Sequence, residues 1–481
     1  MNSLRLNFQE RDGYLRYIGK KNINISFSKN LKSWQVLKKD ILLPRQNYFD
    51  SSSLHSLNAI LTNEGILLVY FVKTPLSFGV ALFDKKNPSK LLWRSANPIW
   101  KTQKKLQPIK VEKQRDDLVI YFQAREGTFE KIVISLVYIF GKEHAHPVVL
   151  ERVLQNPILK PIVEHSWESQ ATFNAAAIYL EEKVHLLYRA IGREGNSVLG
   201  YAASKEGVNI EERLDYPVYL PRELYELRKK GSSTIAYKFM SGGGYGGCED
   251  PRLTKLDNKL YMTYTAFNGS NPPAVALTSI NIKDFLEKKW RWASPVLISK
   301  PGEIHKNWVI FPEKINGRYA ILHSISPEIR IDYFDSLEFK DHDVPIKSFH
   351  SFSPRENCWD NMVRGAGPPP IRTEAGWLVI YHGIDKQDPS RYKLGAMILD
   401  YDDPTKIIYR SPYPILEPDA KYENDGFKPG IVYTCGAIVV GEQLLVYYGG
   451  ADTVTCTATT PLNQFLNKLK ASKSCCELEY V

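Results

Sequence analysis

Short runs rich in Tyr, Val, Ile and Phe recur along the whole chain, each bounded by Gly, Asn, Asp or Pro. Residues 184–188 (VHLLY), 260–264 (LYMTY), 319–322 (YAIL), 377–381 (WLVIY) and 444–448 (LLVYY) are examples. Runs of this length and composition between turn formers predict strands, and Asn316-Gly317 predicts a tight hairpin. They recur at a spacing of roughly 60 residues, near the upper end for one four-stranded blade with long loops. Helical periodicity is confined to two short stretches, 220–230 and 461–470. The pattern predicts an all-β fold, most economically a β-propeller.

Internal similarity extends this picture to the N-terminal part of the chain. Residues 78–99 (FGVALFDKKNPSKLLWRSANPI) align without gaps on 394–415 (LGAMILDYDDPTKIIYRSPYPI), with 8 of 22 positions identical. Upstream, 63–70 (NEGILLVY) parallels 374–381 (EAGWLVIY), and 25–31 (ISFSKNL) parallels 331–337 (IDYFDSL). Three matches in the same order predict that residues 1–145 are blade-like material related to the C-terminal blades. A boundary is expected across 141–158, where His144, His146, Pro147 and Pro157 interrupt the strand pattern. Residues 151–458 then hold enough chain for five blades, and 459–481 form a C-terminal helix and tail.

Charge changes the picture less than its total suggests. The chain carries 63 Lys+Arg against 53 Asp+Glu, a formal +10. Residues 1–150 hold 24 and 12 of these, a net +12, and the remainder hold 39 and 41, a net −2. The basic excess, densest at 101–115 (KTQKKLQPIKVEKQR), is expected to be a solvated face, with docking to an anionic partner as the alternative. Nucleic acid is not expected at the C-terminal two thirds. No run reaches the ~18 apolar residues of a membrane-spanning helix, and the N-terminus is polar. The six cysteines show no metal-ligand or disulfide-scaffold spacing, so no metal site is expected, and a reduced, cytoplasmic compartment is.

Four segments concentrate polar chemistry. Residues 167–174 (WESQATFN) lead toward Arg189, which ends an apolar strand. There its guanidinium fork suits a carboxylate, a phosphate or a sugar hydroxyl, or closes a structural salt bridge. Residues 242–252 (GGGYGGCEDPR) place five glycines before the adjacent carboxylates Glu249 and Asp250. In an extended segment these point to opposite faces, so one alone would face a site, and Pro251 is expected to keep Asp250 extended unless the segment turns. Residues 305–308 (HKNW) and 311–314 (FPEK) offer Lys306 for an anion, or as a solvated loop lysine. The fourth segment combines 365–372 (GAGPPPIR), 381–383 (YHG) and 447–453 (YYGGADT). His382 and Asp452 each follow an aromatic strand beside small residues, a placement that aims side chains into a channel. There is no zinc motif, Ser-His-Asp signature, P-loop or dinucleotide fingerprint. Cationic, carboxylate and aromatic groups around a funnel suit a carbohydrate, with or without an anion.

Taken in order, ATFNAA, LLYRA, GCEDPRLT, FPEKINGRY, GPPPIRTEAGWLVIYHG, RSPYPILEP, YENDG and YYGGADT resemble glycoside hydrolase family 130. These are five-bladed propellers that include β-mannoside phosphorylases and some β-mannosidases. The resemblance runs from about residue 156 to 458 and leaves 1–145 outside. It implies inverting phosphorolysis of β-linked manno-oligosaccharides to α-mannose 1-phosphate, with inorganic phosphate as co-substrate and no cofactor. It further implies Asp250 as general acid, acting through a sugar hydroxyl. Asn174, Arg189, Arg252, His382 and Asp452 would bind the sugar, and Lys306, Asn307 and Arg372 the phosphate. Self-association into a homo-oligomer is also implied. The chain departs from the phosphorylase pattern at Leu322-His323-Ser324, where Leu-His-Arg is usual. The missing charge-assisted bond is worth ~1.5–3 kcal/mol, and Arg330, Arg364 or Arg391 are the available substitutes. Two alternatives stay open: an inverting β-mannosidase with Glu249, Glu303 or Glu313 as base, and a catalytically weak carbohydrate-binding propeller.

Overall fold

The computed structural model describes residues 3–8, 11–46, 48–95, 98–102, 104–115, 117–124, 128–136, 139, 149–228, 242–340, 346–348, 359–385, 388–411 and 414–471. The apolar runs become antiparallel sheets, and the fold is all-β. At the hairpin expected from Asn316-Gly317, both residues take left-handed φ (49° and 80°), and Ile315 and Arg318 exchange backbone bonds. The helix expected at 461–470 is present as Leu462–Ala471. The other, at 220–230, is not: 221–228 is irregular and 229–230 lie outside the described residues. Leu224 and Leu227 are exposed, so no apolar face packs. The Glu226 carboxylate instead accepts from the Arg222 and Glu223 amides and from the Tyr264 hydroxyl, which favours a turn.

Two compact units are present, one within Met1–Ala145 and one within His146–Ser474. The first contains three sheets, of which the middle one runs His55–Leu61, Ile66–Lys73, Leu76–Phe83 and Leu91–Arg94. Its two faces bury separate apolar clusters, one around Leu68 and Tyr70 and the other around Phe78, Trp100 and Phe122.

The second unit builds sheets from five leading strands: Ala171–Leu180, Gly246–Leu256, Val309–Ile310, Met362–Ala366 and Val432–Val440. Two of these sheets join through the parallel pairs Asn196↔Gly246 and Ser197↔Gly247. The last sheet is completed from the other end of the unit, by Glu151–Arg152 pairing with Thr459 and Ala458. The C-terminal helix is integral to this unit, since Phe465, Leu466 and Leu469 lie buried against Leu150, Leu378 and Leu444.

The internal repeat is a structural repeat. Ala81↔Arg94, Leu82↔Trp93 and Phe83↔Leu91 match Met397↔Arg410, Ile398↔Tyr409 and Leu399↔Ile407, including the register shift in each. A shared ionic device explains why the Arg-Ser punctuation recurs. In the N-terminal unit the Tyr70 hydroxyl donates to Asp50, and Arg94 bonds both. The same arrangement links Asp360, Tyr381 and Arg410, and Glu168, Tyr188 and Arg213; in a variant of it Tyr448 and Arg152 each bond Glu423. Each carboxylate is buried, and a tyrosine plus an arginine satisfy it. A glycine opposite the ring makes room in three of the four: a Cβ at Gly79, Gly200 or Gly395 would lie 2.3–2.4 Å from Tyr70, Tyr188 or Tyr381.

Three leading strands of the second unit also carry a bulge at or just past the residue facing the equivalent tyrosine, between Phe173 and Ala176, Glu249 and Arg252, and Thr434 and Gly436, and a fourth carries one before the His382 pair, between Val363 and Gly365. The N-terminal sheet keeps the bulge, between Ser56 and Asn58, but fills it with the buried Leu57. In the same register Phe71 stands where the second unit has His382.

Removing one carboxylate of this ionic device takes the ionic partner from a part-buried arginine and the acceptor from a buried tyrosine hydroxyl. We expect Asp360→Ala to cost ~3–5 kcal/mol, read as a lowered midpoint for the second unit in chemical denaturation. A change below about 1 kcal/mol would mean that Asp360 does not hold its sheet together.

Candidate active site

The bulges decide where the polar side chains go. Asn174 and Asp250 occupy bulges with left-handed φ of 51° and 53°. That conformation corrects the expectation that Pro251 keeps Asp250 extended. It also corrects the expectation that only one of Glu249 and Asp250 can face the site. The bulge breaks strand alternation, and both carboxylates converge on Arg189, at 3.0 Å from Glu249 and 3.3 Å from Asp250. Asn174 Nδ2 donates to Asp250 Oδ1 at 2.8 Å, while its own Oδ1 is buried without a protein partner.

Arg189 and Arg252 are both fully buried. Arg189 also bonds Ser197 at 3.0 Å. Arg252 donates to the carbonyls of Gly367 and Asp250 and to Asn307 Oδ1, each at 2.8 Å. Both guanidiniums therefore position carboxylate, amide and backbone. Lys306 lies 3.3 Å from Glu249. Asn307 has left-handed φ (66°), donates to the Arg364 carbonyl and accepts from the Tyr433 hydroxyl. His382 is stacked on Tyr433, with ring centroids 3.8 Å apart and an interplanar angle of 7°. The Thr434 amide donates to its Nε2 at 3.1 Å, and its Nδ1 is buried without a protein partner. Asp452 follows Ala451 in the hairpin after Gln443–Gly450, and both have left-handed φ.

Burial is the largest influence on Asp250 and pushes its carboxyl up. Arg189, Lys306 and Arg252, with the Asn174 hydrogen bond, overcome it and hold the group below the usual aspartate range. Asp452 goes the other way. Burial raises it to about 6, with Lys428, Arg189 and Lys306 opposing and Asp250 reinforcing. Burial and the nearby Arg252 lower His382 to about 3, so its ring is neutral at physiological pH.

The structure thus brings Asp250, Asn174, Arg189, Arg252, Lys306, Asn307, His382 and Asp452 into one connected cluster. It does not bring Arg372 there, which corrects the expectation that it meets phosphate. Arg372 pairs with Trp377 across a tight hairpin, five residues and roughly 16 Å of strand from His382. Its exposed guanidinium meets Glu313 and the Tyr401 ring. Of the substitutes considered for the cation missing at Ser324, Arg330 pairs with Glu328, and Arg391 with Asp419 and the Pro418 carbonyl. Arg364 occupies the bulge of the fourth leading strand, where it influences His382. Ser324 itself turns back to bond the Ser326 carbonyl.

Tyr433 and Lys428 were not singled out by sequence reasoning, and Arg364 was considered only as a substitute for the cation missing at Ser324. Arg364 and Lys428 flank the ring of Tyr392, at 5.8 and 4.7 Å. Nothing in the run DGFKPG distinguishes Lys428 from an ordinary loop lysine.

A family model described as beta-1,4-mannooligosaccharide phosphorylase matches residues 149–471. The chain belongs to glycoside hydrolase family 130. Family-130 relatives include the 1,2-beta-oligomannan phosphorylase of Thermoanaerobacter sp. (strain X514), 39% identical over 64% of this chain and 95% of that protein. The beta-1,2-mannobiose phosphorylase of the same strain is 38% identical over 63% and 94%. The solved beta-1,2-mannobiose phosphorylase of Listeria innocua, in complex with beta-1,2-mannobiose, superposes with a TM-score of 0.52 and 25% identity. That superposition covers 67% of this chain and 99% of the other. Residues 1–148 lie outside the family-130 match.

A carboxyl raised to about 6 keeps its proton in the folded state where the unfolded chain, near 3.8, has lost it. Its contribution to stability is therefore present at low pH and falls as pH rises through 4 to 6. Asp452→Asn should gain stability relative to the parent across that window and show no gain below pH 4, read from denaturant midpoints at each pH. A constant difference at every pH would show that Asp452 titrates normally.

Proposed function

We propose that the protein is an inverting phosphorylase of β-linked manno-oligosaccharides that produces α-mannose 1-phosphate from inorganic phosphate without a further cofactor. The observation that carries this reading is the charge arrangement around Asp250. Asp250 stands among cations, and each of the three glutamates considered as a hydrolytic base is already paired with a cation. Glu249 is buried against Arg189 and Lys306, Glu303 pairs with Lys300, and Glu313 pairs with Arg372. A hydrolase must activate water with a second carboxylate, whereas phosphate arrives already anionic and requires cations. The names of the family-130 relatives at 38–39% identity support the same chemistry and make a β-1,2 linkage the first to test.

In this reading a phosphate oxygen attacks C1 of the mannosyl unit from the face opposite the leaving sugar, and the glycosidic C1–O bond breaks. Asp250 gives its proton to a mannosyl hydroxyl, which passes its own to the departing oxygen. Inversion yields the α-phosphate. Lys306, Asn307 and Arg364 hold the phosphate. Asn174, His382 and Asp452 hold the sugar, with the unpartnered Asn174 Oδ1 and His382 Nδ1 available to hydroxyls. Arg189 and Arg252 act as positioning residues. The low pKa of Asp250 belongs to the site without ligands. Phosphate beside Lys306 competes for the charge that keeps Asp250 ionised, so binding the nucleophile favours loading the acid with its proton.

The five leading-strand sheets, with the last completed by Glu151–Arg152, support a five-bladed propeller as the frame. The N-terminal sheet repeats the registers of one of its blades. Three buried free thiols, Cys248, Cys435 and Cys456, fit a reducing, cytoplasmic setting. Among the described residues no helix is long and apolar enough to cross a membrane.

Incubation with β-1,2- and β-1,4-mannobiose, with and without phosphate, tests the reading. Mannose 1-phosphate should appear only when phosphate is present, and Asp250→Asn should lower turnover by about 10³-fold. Phosphate-independent release of mannose would establish hydrolysis instead, with Asp452 as the remaining carboxylate in the cluster. Sugar binding without turnover would establish a binding protein.

A further inference from the structure

The segment 425–430 (DGFKPG) holds an aromatic ring at the edge of the cluster. Phe427 is 49% exposed, unusual for a phenylalanine on so tightly anchored a segment. Its amide donates to Thr453 Oγ1 at 2.9 Å, the Lys428 amide to the Ala451 carbonyl at 3.0 Å, and the Gly430 amide to the Glu423 carbonyl at 2.9 Å. At Gly426 a Cβ would fall 2.3 Å from Thr453 Oγ1, so the backbone is pressed onto the hairpin that carries Asp452. On its other side the ring meets the glycine segment leading to Asp250, where a Cβ on Gly243 would lie 3.0 Å from Phe427 Cδ1. Phe427 thus spans the two segments that deliver Asp250 and Asp452. Its neighbour Lys428 is the leading charge acting on Asp452.

A fixed, half-exposed aromatic face beside polar groups is the arrangement that binds the apolar face of a sugar ring while the polar groups take its hydroxyls. The segment packed on the ring at Gly243 runs on to Asp250, the acid that serves the departing sugar in the proposed reaction. Arg364 and Asn307 lie with His382 and Tyr433, on the other strands. We propose that Phe427 is the platform on which the acceptor sugar, the residue released in phosphorolysis and added in synthesis, stacks. This rests on the phosphorolysis reading and deepens it by naming the residue that selects a hexose on the leaving-group side.

The test uses the full chain in the synthetic direction, with α-mannose 1-phosphate as donor and mannose as acceptor. Phe427→Ala should raise the acceptor KM by about tenfold or more, leave the donor KM within about twofold, and be rescued by Phe427→Trp. An unchanged acceptor KM, or equal rises in both constants, would overturn the proposal. Circular dichroism checks that the variant is folded, and Phe427→Leu replaces it if it is not. If the parent makes no product from mannose 1-phosphate, the phosphorolysis reading fails separately. The platform is then read by calorimetry of β-1,2-mannobiose binding to Asp250→Asn with and without Phe427→Ala. Weaker binding by the double variant upholds a sugar platform, and equal binding overturns it.

Discussion

A guanidinium that is wholly removed from water must be compensated, and the candidate site is organised around that requirement at Arg189. Its fork faces Glu249 and Asp250 together, which strand alternation alone would forbid. The bulge at 250–251 is what reconciles the two, so the left-handed backbone of Asp250 and the burial of Arg189 imply each other. Lys306 on Glu249, and Arg252 on Asn307 and the Gly367 carbonyl, extend the arrangement toward the next sheets. Such a network is costly to leave half-satisfied, which favours one arrangement of the strands over neighbouring registers. Specificity of register and placement of the acid are two results of one electrostatic constraint.

Away from the site a simpler ionic device repeats. A buried Asp or Glu, a tyrosine and an arginine recur in one sheet of the first unit and in three sheets of the second, while the residues at the bulges vary from sheet to sheet. Scaffold and chemistry therefore reside at separate positions on the same strands. The N-terminal sheet shows the separation most plainly: it keeps Asp50, Tyr70, Arg94 and Gly79, yet has Phe71 where the second unit has Arg189 or His382.

Much of this was legible in the sequence. Strand positions, the Asn316-Gly317 hairpin, the terminal helix and the internal repeat follow from periodicity and turn chemistry, which act over a few residues. Asn174, Asp250, His382 and Asp452 could be singled out because small residues and glycines surround them. What was not legible depends on register. The convergence of Glu249 with Asp250 needs a bulge that alternation does not announce. The exclusion of Arg372 needs to be read from its hairpin partner Trp377, and Lys428 matters only because its loop folds back on Asp452. The stretch 220–230 has helical spacing, but Glu226 finds better partners for its carboxylate in a turn, and no core receives Leu224.

The two-residue strand Glu151–Arg152 sets where the second unit can begin. It supplies the edge of the last sheet and, through Arg152, the cation for Glu423 and Tyr448. Leu150 just before it is buried and bonds the Ile415 carbonyl through its amide. The family motifs begin only near residue 156. A shortened chain starting there would have an open final sheet and an uncompensated buried carboxylate. Any autonomous form of the second unit has to retain residues from 149 onward.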